Sequence, residues 1–167
     1  IRKRMETGSD FENISLLAGF ENIVVSSVRL DGLRQYEGQS IAQIAEQQGK
    51  DPFTCLFDLL QAAHCDVTMI DFIAAEDDIC DILRDPCSCV ISDSTYPDTG
   101  LLHPRVYGTF TTLLEHFVRE TRVLSLESAI HKITARPARI MKLKTKGALV
   151  AGMDADVCVF DLDRVHT

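Results

Sequence analysis

The sequence predicts an α/β fold of parallel β/α units, and three observations predict it. Two short apolar runs of strand character, Val67-Thr68-Met69-Ile70 and Cys87 to Ile91, are each followed by a helical pattern. Strand and helix therefore alternate between Val67 and Arg119, the order from which parallel sheets are built. Only two such units are visible, and two parallel strands cannot close a sheet, so the partner strands are expected outside these 167 residues.

Taken in order, residues 1–37 form a loop or insert region with one strand candidate, Ile23 to Val28. From Ser40 the pattern turns helical, with Ile41, Ile44 and Ala45 on one face and Gly49 as the stop. Asp51-Pro52 opens the next helix, the acid as N-cap and the proline at its tolerated first position. Its expected apolar face is Phe53, Leu56, Phe57 and Leu60. After the Val67 strand comes an acidic-headed helix, Glu76 to Leu83, with Ile79, Ile82 and Leu83 inward and Asp85-Pro86 as its end. A helix is predicted over Tyr107 to Arg119, its stripe of Phe110, Leu113, Leu114 and Phe117 being core. Ser125 caps another, with Glu127 suited to the positive end of the helix dipole. Pro137 is expected to break that helix, and a short continuation ends near Leu143. Past Gly147 and Gly152, Ala155 to Asp161 reads as turn-separated β.

Composition narrows the partners. A net charge of −8 without a basic run argues against nucleic acid. No apolar stretch approaches the roughly 20 residues a membrane span needs, and no signal peptide is apparent at Ile1-Arg2-Lys3-Arg4-Met5. Ile1 in place of Met, and an end just past an apolar run, suggest a piece of a longer protein. The six cysteines (Cys55, Cys65, Cys80, Cys87, Cys89 and Cys158) include no C-x-x-C pair, so buried free thiols in a reducing cytoplasm are expected.

Chemistry concentrates in "CVISDSTYPDTGLLHPR", Cys89 to Arg105. Asp93 stands at the C-terminal end of the second predicted strand, the rim where β/α barrels gather catalytic side chains. A carboxylate there can ligate a metal or take a proton from an activated water, or it can merely accept loop N–H bonds in an Asx-turn. Cys87 and Cys89 share one face of a strand but lack the His or second cysteine pair of a metal site, so they read as core. His64 and Cys65 follow a helix end, and His116 and His131 read as surface or partly packed helical residues.

The run "VISDSTYPDTGLLHPRVYGTF" resembles the segment around the last barrel strand of N-acyl-D-amino-acid deacylases, zinc enzymes of the amidohydrolase superfamily. "KGALVAGMDADVCVFD" is similar to their return from barrel to a small β-sandwich, and "EGQSIAQIAEQQGKDPFTCLFDLL" to the stretch before their seventh strand. "FENISLLAGFENI" resembles the family more weakly. The resemblance implies the C-terminal portion of a (β/α)₈ TIM-like barrel, its last two β/α units, plus a strand returning to the β-sandwich. Residues 1–145 would be partial barrel and 146–167 the returning segment.

It also implies that Asp93 is both a metal contact and the catalytic general base, later the acid toward the leaving amine. Arg105, in His103-Pro104-Arg105, would bind the substrate's α-carboxylate with its planar fork; otherwise it is a surface ion pair. The family commonly has Gly where Ser94 stands, which would crowd the loop. Zinc is the implied cofactor, held mostly by ligands upstream of Ile1, since no H-x-H occurs here. The implied substrate is an N-acyl-D-amino acid, and the implied partner the rest of the same protein or a second copy. Two other readings stand beside this one: a cyclic-amide or dipeptide hydrolase of the same superfamily, and a non-catalytic interaction module.

Overall fold

The computed structural model describes residues 1–8, 11–96 and 100–167. They form two compact units, one of residues 1–73 with 96–103 and one of 74–95 with 104–167.

The first unit contains α1 (Arg2–Thr7), α2 (Ile14–Leu17), β1 (Ile23–Val28), a 3₁₀ turn (Asp31–Tyr36), α3 (Ile41–Gln48), α4 (Pro52–Ala62) and β2 (Val67–Asp71). Local chemistry accounts for the helix ends. Ser40 and Gln43 close a capping box on α3, Ser40 Oγ accepting from Gln43 N–H at 3.2 Å and Gln43 Oε1 from Ser40 N–H at 2.9 Å. Gly49 ends that helix in the left-handed conformation. Asp51 caps α4 through Thr54 N–H, with Pro52 at the first position where its missing N–H leaves no bond unmade. The core of the unit is Ile23, Val25, Val28, Ile41, Ile44, Cys55 and Leu59 with their small neighbours. In α4 the fully buried residues are Cys55 and Leu59, while the expected face of Phe53, Leu56, Phe57 and Leu60 is half-buried. Small Cys55 lets the helix sit closer to the core than bulky side chains would.

β1 and β2 pair antiparallel, from Ile23 opposite Asp71 to Val28 opposite Val67. The expected parallel pairing of the Val67 to Ile70 run with the Cys87 to Ile91 run is not present, because the second run forms no ladder among the described residues. The 3₁₀ turn and two helices, α3 and α4, lie between β1 and β2. The register slips between Val25 and Ser27, leaving Ser26 bulged out, and it bonds Leu101 instead, accepting from its N–H at 2.8 Å and donating to its carbonyl at 2.5 Å. Gly100, at φ +94°, makes this approach possible: a Cβ there would lie 2.3 Å from that of Ser27.

The second unit contains α5 (Glu76–Arg84), α6 (Arg105–Thr112) running into a π-helical stretch (Leu113–Glu120), α7 (Leu126–Ile133) and α8 (Ala135–Ile140). Leu83, Leu113, Leu114, Val118, Leu124 and Ala129 form its core. In α5 the buried pair is Cys80 and Leu83, and Ile82 is 63% exposed, because Cys80 and Leu83 share a face that Ile82 flanks. Phe110, expected in the core stripe, is also exposed. The break between α7 and α8 falls at Thr134, not Pro137; Pro137 lies in the first turn of α8, where a missing N–H is tolerated.

Two expected strands do not form. At Cys87 to Ile91 no ladder exists among the described residues. The backbone there bonds α7 and α8 instead: Lys132 Nζ reaches Ser88 O at 3.4 Å, Arg136 Nε reaches Cys87 O at 3.2 Å, and Val90 N–H donates to Lys132 O at 3.3 Å. Ala155 to Asp161 likewise has no ladder among the described residues, and Val157 and Val159 are exposed. The chain end is held by side chains, Arg119 donating to Leu162 O at 2.9 Å and to Val165 O at 2.5 Å. The cysteines are all free, but only Cys55 and Cys80 are buried; Cys65, Cys87 and Cys158 are exposed.

Candidate functional site

Asp93 and Arg105 meet within the second unit. Arg105 opens α6, and its guanidinium Nη1 lies 3.5 Å from Asp93 Oδ2, an ion pair longer than a close hydrogen bond. Both side chains reach solvent: that of Asp93 is 80% exposed and that of Arg105 40%. The Asp93 backbone is left-handed, φ +45°, a conformation aspartate tolerates better than most residues. The turn is secured from the far side by Ser94, whose hydroxyl donates to Arg105 O at 3.1 Å. Ser94 thus contributes a bond linking the loop to the first turn of α6. Part of the loop from Asp93 to His103, namely Pro97, Asp98 and Thr99, lies outside the described residues.

Upstream, the chain entering Asp93 is clamped. Lys132 is only 3% exposed, and its ammonium donates to Asp85 O at 2.6 Å, Ser88 Oγ at 2.8 Å and Ser88 O at 3.4 Å. The sequence reading passed over this lysine. The available signal was its place three residues past Ala129 on the buried face of α7, where a charge must have partners.

Two further groups went unassigned. His116, expected to be a surface or partly packed residue, stands partly packed between two acids, Nε2 lying 2.6 Å from Glu76 Oε1 and Nδ1 3.0 Å from Glu120 Oε2. These acceptors push its pKa above the ordinary 6.5, the hydrogen bond to Glu76 contributing most. In the first unit Asp71 ends β2 with Oδ1 buried and no hydrogen-bond donor to it among the described residues. Burial raises its pKa, and the charge of His103 opposes that shift.

No group of three or more His, Cys, Asp and Glu side chains that could hold a metal occurs among the described residues. Asp93 fits as one hard oxygen ligand, so a metal here needs further ligands from beyond these residues. No helix among the described residues is long and apolar enough to cross a membrane.

The described geometry can be set beside known proteins. An amidohydrolase family profile matches residues 17–167. The chain is 39% identical over 128 residues to an N-acyl-D-glutamate deacylase of Alcaligenes xylosoxydans xylosoxydans, covering 77% of this chain and 25% of that protein. It is 35% identical over 130 residues to an N-acyl-D-aspartate deacylase of the same organism, covering 78% of this chain and 25% of that one. The crystal structure of an N-acyl-D-glutamate deacylase from Bordetella bronchiseptica, complexed with zinc and a phosphonate mimic of the tetrahedral intermediate, superposes with a TM-score of 0.78 at 33% identity. That match covers 99% of this chain and 31% of the solved one. The chain therefore spans about a quarter of the length of the curated relatives it matches. Its α/β fold is that of the amidohydrolase and TIM-barrel superfamily, and the chain belongs to the amidohydrolase family.

Proposed function

We propose that these residues are the C-terminal part of an enzyme that hydrolyses the amide bond of N-acyl-D-amino acids. Residues 1–145 would belong to its barrel and 146–167 to the segment returning to a β-sandwich. The observation that carries the reading is the pairing of an exposed carboxylate, Asp93, with the Arg105 guanidinium at 3.5 Å, inside a chain akin to deacylases of acidic D-amino acids. Zinc, when bound by ligands from the rest of the protein, would polarise the amide carbonyl and acidify water.

The work of this chain's own residues follows from their chemistry. Asp93, as a carboxylate, accepts a proton from the attacking water and returns it to the departing amine nitrogen, which leaves as a neutral amine. Arg105 keeps its charge at every working pH and offers two parallel N–H bonds to the substrate's α-carboxylate. Substrate would then replace Asp93 as the nearer anion to the guanidinium, at little cost, since an exposed pair contributes at most about 1 kcal/mol.

The test is Asp93→Asn in the full-length protein with N-acetyl-D-glutamate. The amide keeps the shape but cannot take the proton, so kcat should fall at least ~10²-fold. A kcat within about threefold of wild type would end the assignment.

A further inference from the structure

We propose that Lys132 is a positioning residue for the hydrolysis: it acts through the Asp85–Val90 segment to hold Asp93 in its working orientation. The proposal rests on the reading of Asp93 given above, and its test separates failure of one from failure of the other.

The burial of Lys132 is unusual for a lysine. An ammonium is strongly hydrated, and removing it from water is costly unless oxygen ligands replace its hydration. Lys132 is 3% exposed, and the oxygens it meets at Asp85 and Ser88 are neutral. A methionine of similar reach would fill the same space without that desolvation. Buried charges are often no better for stability than well-packed apolar groups, so stability alone is a poor reason for a lysine here.

What the lysine adds is direction. Its bonds gather the carbonyls of Asp85 and Ser88 onto one point, and Ser88 Oγ in turn donates to Asp85 O at 3.0 Å. The backbone of Lys132 holds the next stretch through Val90 N–H, and Arg136 holds Cys87 O. A run with no sheet ladder among the described residues is thereby fixed by side chains and backbone of α7 and α8. Asp93 is only the third residue beyond Val90, and the Ser94 hydroxyl secures the turn on its other side. The left-handed Asp93 backbone thus sits between two anchors, and the upstream anchor is Lys132. Loosening it should let the carboxylate wander, and misplacement by about 1 Å can cost on the order of 10²-fold in rate.

The experiment is a double-mutant cycle in the full-length enzyme with N-acetyl-D-glutamate. Lys132→Met should lower kcat by about tenfold or more while KM stays within about twofold. Ser88→Ala, which removes one ligand of the ammonium and leaves the charge, should move kcat the same way by a smaller factor, and it serves if the lysine variant fails to fold. In an Asp93→Asn background the Lys132→Met loss should vanish, because an amide that cannot take a proton gains nothing from being held in place. Losses that simply multiply, or a fall in active-enzyme concentration with kcat per active site unchanged, would overturn the positioning role. If Asp93→Asn itself retains activity, the reading of Asp93 fails and the proposal falls with it, a result visible before any Lys132 variant is made.

Discussion

The two residues of the candidate site differ in how their chemistry can be separated. On the proposed reading, Asp93 would act on a proton, and Arg105 on a charge that takes no part in bond breaking. Arg105→Lys keeps the charge and loses the fork, so one of two charge-assisted hydrogen bonds to the substrate disappears. Such a bond is worth about 1.5–3 kcal/mol, so KM for an N-acyl-D-amino acid should rise roughly tenfold or more with kcat little changed. An N-acyl amine lacking the α-carboxylate should be nearly indifferent to the change while remaining sensitive to Asp93→Asn. Equal damage to both substrates would make Arg105 structural, a role its 3.5 Å pairing with Asp93 could also serve. The sequence singled out Asp93 as an acid closing a short apolar run, and Arg105 through the resemblance carried by the His-Pro-Arg triplet. Lys132 was not singled out, because its meaning lies in carbonyls 44 and 47 residues away, and a chain read locally shows only a lysine in a helix.

At the scale of elements, what could be read depended on where the backbone bonds go. Helices satisfy themselves, so Ser40, Gly49, Asp51 and Ser125 marked their ends correctly. Strands are completed by partners, and apolarity at Cys87 to Ile91 could not reveal that α7 and α8, rather than another strand, would take those carbonyls. The same limit hid the clamp between α5 and the π-helical stretch, where His116 bridges Glu76 and Glu120. That clamp has a pH signature. Its raised pKa means that the folded chain binds the proton more tightly than the unfolded one, with its ordinary value near 6.5. The stabilisation is therefore fully present below about pH 6.5 and is lost as pH rises through the folded pKa. His116→Gln should accordingly lower Tm at about pH 6 and converge on wild type at about pH 9. A Tm difference that stays constant across that range would show that the charge of His116 contributes nothing. The partial exposure of all three side chains keeps the expected shift small.

For the whole molecule, the question is what the residues do when nothing else is present. One exposed carboxylate cannot replace a closed set of nitrogen, sulfur and oxygen ligands, and among the described residues no group of three or more such side chains could hold a metal. The isolated 167-residue chain should neither hydrolyse N-acetyl-D-amino acids nor keep stoichiometric zinc after dialysis against a weak chelator. Its surface leads to a second expectation. In the first unit a cavity of about 620 Å³ opens among Ile23, Val25, Ile41, Leu56, Leu59 and Val67, a volume well beyond the voids of a close-packed core. The same unit exposes Met69, Phe72 and Ile73 along and just beyond β2, and a two-stranded sheet is marginal without further cover. Apolar surface of this kind is removed from water by whatever chain is at hand. With the rest of the proposed enzyme absent, that chain would be a second copy. Sedimentation velocity over a concentration series should therefore show reversible association, and co-expression with the remaining three quarters of a full-length relative should suppress it. A monomer at high concentration, with no apolar dye bound at the cavity, would mean that the first unit closes this surface by itself and needs no barrel around it.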